Sequence, residues 1–154
     1  MDPVVPLASA SYQAVRAHRA ELRESLSALE KALAGPAPGR VEAWAERVHV
    51  ALVELSADLR EHVELTEGPG GLHREVLTAV PRLAGAVRRL VDEHVEFTRL
   101  VDDLLSRVSG HVHGDDVVDV RGMGVALLGR LVRHRQAGAD LVYEAYEADI
   151  GGET

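Results

Sequence analysis

The stretch "LVDEHVEFTRLV", residues 90–101, decides how this chain is read. Leu90, Val91, Phe97, Leu100 and Val101 recur at spacings of three and four, the period of one helix face. His94 falls on the same stripe, where a leucine would ordinarily sit. A helix that buries an imidazole in its own seam has to give that ring a partner. A buried polar group left without one costs about 1–3 kcal/mol.

The same period extends outward through four blocks. Gly and Pro separate them at "GPAPG" (35–39), "EGPGG" (67–71) and "SGHVHGDD" (109–116), which is turn chemistry. The first block, about 8–34, carries Val15, His18, Leu22, Leu26, Leu29 and Leu33. The second, about 40–66, carries Val41, Trp44, Val48, Leu52, Leu55, Leu59, His62 and Thr66. The third, about 81–108, carries Leu83, Val87, Leu90, His94, Phe97, Val101, Leu104 and Val108. The fourth, about 116–148, carries Val120, Leu127, Leu131, His134, Gly138, Leu141 and Ala145. Pro81 suits a first helical turn. "GLHREVLTAV" (71–80) reads as a short helix after a bend, and Asp115 or Asp116 as the N-cap of the fourth helix. Short loops join the first two helices and the last two. The expected fold is therefore all-α, an up-down-up-down four-helix bundle, with residues 1–154 as a single domain.

Composition agrees. Apolar residues make up 46% of the 154 and aromatic ones only 3%, which favours helices on aliphatic seams over a β-sandwich. The absence of cysteine excludes disulfides and thiolate metal sites. A net charge of −8 argues against nucleic acid or an anionic membrane as partner. "MDPVVPLASASYQ" lacks a basic region followed by an apolar run, so no secretory signal is expected. No run approaches the roughly 18 apolar residues of a membrane span. A cytoplasmic protein is the expectation.

Of eight histidines, His18, His62, His94 and His134 lie on the four seams, one per helix. His111 and His113 sit in a Gly-flanked loop, His73 follows a turn, and His49 lies off its helix's stripe. His18 stands about 19 residues before the first turn and His62 about 24 after it. His94 stands about 18 before the last turn and His134 about 22 after it. Each mismatch of four or five residues is roughly 7 Å at about 1.5 Å per residue. Four rings near one level satisfy one another through water, or hold a metal ion, since neutral imidazole is a common ligand of iron, copper and zinc. Both readings remain open on spacing alone.

With these residues in place, the chain resembles the hemerythrin-like, or HHE, family. The resemblance is clearest in "LREHVELTEGPGGLH", "VPRLAGAVRRLVDEHVEFTRLVDDL" and "LLGRLVRHRQAGADL". It implies a four-helix bundle around non-haem iron, as one or two ions, with zinc or another divalent metal as alternatives. It also implies oxygen, nitric oxide or peroxide as small ligand. The family's histidines fall on His18, His62, His94 and His134. Its carboxylates do not carry over. Thr66 stands four residues after His62, Thr98 four after His94, and Gly138 and Ala139 four and five after His134. Bridging carboxylates neutralise and space a metal pair, so a di-iron pair loses its usual support.

Nearby acids are substitutes. Glu67 lies about 140° around an ideal helix from His62, but beside a glycine turn that lets it swing inward. It joins the four histidines as a candidate metal ligand, against its reading as a surface charge. Asp140 points elsewhere from His134, and Glu21 is placed to orient His18. Gly138 leaves room for water or a small ligand, or eases close helix packing. Arg135 and Gln136 offer hydrogen bonds to a ring or ligand, or face solvent. Tyr143 and Tyr146 cap one end of the bundle, line a pocket or meet a second copy in a homodimer.

Other chemistry finds little support. Glu46-Arg-Val-His49 is the lone Glu-x-x-His, and it is off the seam. There is no HExxH, no P-loop and no serine in a nucleophile-elbow context. Three functions are thus expected to compete. They are a hemerythrin-like metal protein, a metal-free descendant that binds a protein partner, and a mononuclear metal enzyme with a cavity beside Gly138 and Thr66.

Overall fold

The computed structural model describes residues 9–148, and all of its elements are helical. Helix α1 spans Ala10–Ala34, α2 Val41–Glu67, α3 Leu72–Ala79, α4 Ala84–Val108 and α5 Asp116–Tyr143. A 3-10 turn, Pro81–Leu83, leads into α4, and a π-helical turn, Glu144–Ala148, follows α5.

Local chemistry explains these limits. Ser9 caps α1, its hydroxyl accepting the Tyr12 N–H at 3.1 Å. The expected start at residue 8 lies outside the described residues. Gly39 and Gly70, at φ 73° and 71°, take the left-handed turns that follow α1 and α2. The third long helix becomes α-helical only at Ala84, because Pro81 has no N–H and Val80, at φ −138° and ψ 80°, is not helical. The expected aspartate cap of α5 does not form. Asp115 has helical backbone and no capping bond, while the Asp116 carboxylate accepts the His113 N–H at 2.9 Å.

Around the bundle, α1 packs on α2 and α5, and α4 packs on the same two. The core falls into two apolar parts. The larger includes Leu29, Trp44, Leu52, Phe97, Leu104 and Leu127. The smaller includes Val15, Leu72, Val76, Leu90, Leu141 and Tyr146, and α3 supplies part of it. Membership fixes the directions. Along α1 the chain passes from Val15 in the smaller part to Leu22 in the larger; α4 passes the same way, from Leu90 to Phe97. Helix α2 passes from Leu59 in the larger part to Leu65 against the smaller, and α5 from Leu131 to Leu141. The four long helices therefore run up, down, up, down. His18, His62, His94 and His134 fall between these markers, in a polar layer that divides the apolar core.

Both ends are tied. Arg121 donates to the Leu33 and Gly35 carbonyls at 2.8 and 2.6 Å, holding α5 to the end of α1. Gly124 allows α5 close to α1, since a Cβ there would stand 2.5 Å from Leu33 Cδ1. At the other end, one Glu75 oxygen accepts from Ser9, Ser11 and Tyr146 at 2.8, 2.9 and 2.9 Å. Tyr146 is buried there, whereas Tyr143 is exposed. Among the described residues no helix is long and apolar enough to cross a membrane.

Candidate metal centre

Three of the seam histidines meet. One ring nitrogen each from His62, His94 and His134 lies within 4.8 Å of the others. His94 and His134 are buried, and His62 is half-buried. His94 Nε2 stands 3.1 Å from His134 Nε2. The His62 ring meets both edge-on, with centroids 5.0 and 5.6 Å away, and makes no hydrogen bond among the described residues. Phe97 closes the larger-core side, edge-on to His134 at 5.0 Å.

The outer nitrogens are held by carboxylates. His134 Nδ1 lies 2.6 Å from Glu93 Oε1, and His94 Nδ1 bonds Glu67 Oε2. An ionised carboxylate only accepts, so each Nδ1 carries the proton and each Nε2 a lone pair. Two lone pairs 3.1 Å apart repel unless a proton or a cation lies between them. Tetrahedral ligands at about 2.0–2.1 Å from one ion are themselves about 3.3 Å apart. The carboxylate–histidine pairing is also the arrangement that fixes tautomer and ring direction in metal sites. The His94–His134 pair thus has the spacing of two ligands of one divalent ion, and His62, its ring nitrogen within 4.8 Å of theirs, is the third nitrogen donor beside them.

Electrostatics keeps these nitrogens available. Burial, then the neighbouring His134 and His73, hold His94 down at about 3. Burial, then His94 and His134, hold His62 at about 3 as well. Burial lowers His134 too, against the hydrogen bond it donates to Glu93. All three rings are neutral at pH 7.

His18 is placed differently. Its Nε2 bonds the Asp58 carbonyl at 2.9 Å and its Nδ1 meets Glu21 at 2.8 Å. Glu61 lies 3.6 Å away. Both ring nitrogens are therefore engaged, and His18 groups with Glu21, Asp58 and Glu61 rather than with the other three histidines. Burial opposes its charge, but the Asp58 carbonyl, Glu21 and Glu61 outweigh that and raise its pKa. Glu67 does swing in at the end of α2, yet it meets the outer nitrogen of His94 rather than the space between the rings. Asp140 pairs with Gln136 at 2.9 Å on the exposed side of α5.

Two residues near the site escaped the sequence reading, one orienting a ring and one beside the cluster but outside it. Glu93 precedes His94, but its partner is on the next helix, which no single-helix period reveals. His73, which follows a turn in the sequence, is buried on α3, its ring nearly parallel to His94 with centroids 6.1 Å apart. A cavity of about 60 Å³ adjoins the rings, lined by His62, Thr66, His73, His134, Arg135 and Gly138 among others. A Cβ on Gly138 would meet nothing within 4 Å, so this glycine faces space rather than a packed helix. Gly138→Ala is accordingly expected to stabilise the bundle by about 1 kcal/mol through helix propensity. Thermal unfolding should read this as a rise of about 2–4 °C; a fall would show that the site needs glycine.

Fold and site together define an all-helical four-helix bundle with a buried three-histidine cluster. No protein family, curated protein or solved structure matches the chain.

Proposed function

We propose that the chain is a hemerythrin-like protein that binds one divalent metal ion through His62, His94 and His134. One observation carries this reading: two imidazole Nε2 atoms face each other at 3.1 Å while carboxylates hold both outer nitrogens. Non-haem iron is the metal that the resemblance implies; zinc suits the same donors. Such an ion supplies a Lewis-acidic, and for iron a redox-active, centre. Glu93 and Glu67 aim the rings, Phe97 keeps water from the larger-core side, and the cavity beside Gly138 admits a small molecule to the open side. Oxygen, nitric oxide and peroxide are the ligands the resemblance suggests. Bridging carboxylates are not in place between the rings, so one ion suits the donors better than two.

Metal analysis by mass spectrometry on untagged protein, with optical spectra in air and under anaerobic conditions, tests this. One ion per chain is expected. Two irons per chain would overturn the single-ion reading. No ion, with a melting temperature unmoved by added iron or zinc, would favour a metal-free protein-interaction module. Glu93→Gln and Glu67→Gln should each weaken metal binding about 10–100-fold without unfolding the chain. Chelator competition measures this, and unchanged affinity would remove the carboxylates from the site.

A further inference from the structure

The cavity beside the rings contains a second, unassigned chemistry. Among the described residues, two buried side-chain nitrogens lack any hydrogen-bond partner: His73 Nδ1 and Arg135 Nε. Both residues line this one cavity, and His73 is 7% exposed. Arg19, on α1, lines it as well. Arg19 and Arg23 both lie close enough to Arg135 to repel its charge, and none of the three forms an ion pair among the described residues. Clustered guanidinium groups without a carboxylate, in a protein of net charge −8, are an unsatisfied electrostatic arrangement.

We propose that the cavity binds a small oxyanion, with Arg135 and His73 as its donors. The Nε–H and a terminal N–H of arginine form a fork that matches two oxygens of one anion. Arg135 Nε and His73 Nδ1 are both buried, so each side chain turns toward the cavity to donate. At about 60 Å³ the cavity exceeds severalfold the roughly 10–15 Å³ that one water needs. Formate and nitrite fit that volume. The anion deepens the metal reading by naming a ligand class for the same cavity, and it rests on that reading only for its purpose. Its donors are not the three histidines that hold the ion.

Formate and nitrite, titrated into the chelator-treated full chain and followed by amide and histidine side-chain NMR, provide the test. Chloride at equal ionic strength and neutral formamide serve as controls. Saturable shifts are expected at His73, Gly138 and Arg135. Arg135→Met and His73→Leu should each weaken formate binding at least tenfold while zinc uptake stays at one per chain. Shifts that chloride reproduces, or equal binding by wild type and Arg135→Met, would mean that these donors do not recognise an oxyanion and would overturn the proposal. Anion binding without uptake of either iron or zinc would sink the metal reading alone. Zinc uptake without anion binding would sink this inference alone.

Discussion

His94→Leu reduces divalent-metal affinity by about two to three orders of magnitude and leaves the bundle folded: this is the largest effect expected of a single substitution. Structural zinc sites with four ligands contribute about 10–16 kcal/mol at pH 7, or roughly 2.5–4 per ligand. Each 1.4 kcal/mol is about tenfold in affinity. Position 94 is 4% exposed and lies between Leu90 and Phe97 on an apolar stripe, so leucine meets apolar neighbours along its own helix. The change also removes one of two opposed lone pairs, and Glu67, at the end of α2, is free to turn to water. The metal-free variant should therefore melt at or above the metal-free wild type. Wild type at a hundredfold excess over its Kd should gain about 2.7 kcal/mol, and the variant nothing. Calorimetry and chelator competition read both quantities, with His111→Asn in the exposed loop as control. Uptake of one ion per chain by His94→Leu would show that the ring is not a ligand.

The bundle was legible in the sequence because its signals are local. Each long helix carries apolar residues every three or four positions, and Gly and Pro mark each turn. The expected ends of α2 differ from the structure by one residue. The 3-10 start of α4 and the π-helical end of α5 were not visible, since periodicity does not distinguish helix types. The site was legible to a lesser depth. Period places a ring in a seam, but the ring's direction within that seam depends on neighbouring helices. His18 shares the stripe of α1, yet the Asp58 carbonyl on α2 takes its inner nitrogen. Glu93 orients His134 across a helix boundary, a relation that requires the packed structure. Gly138 had two equal readings until the space around its missing Cβ was known.

Acid should destabilise the metal-free protein steeply, and the sign follows from the same rings. An unfolded histidine takes up a proton near pH 6.5. Folded His62 and His94 do so only at about 3. Between these values the unfolded chain binds more protons, so folding stability falls as pH falls. Their contribution is complete above about pH 6.5 and is lost progressively down to about pH 3. At pH 5 each ring costs about 1.5 units times 1.4 kcal/mol, or about 2 kcal/mol, and the pair about 4. That is a large part of a typical 5–15 kcal/mol. His134, lowered by burial, adds to the same slope. His18 has the opposite sign: its pKa is raised, so its contribution is complete below about 6.5 and is lost as pH rises through the folded value. Maximum stability should therefore lie near neutrality. Urea midpoints with chelator at pH 7, 6 and 5 measure the slope, and His94→Leu should remove about one proton from it. A flat profile over that range would mean that the rings accept protons within the folded bundle, and that water already reaches the space between them.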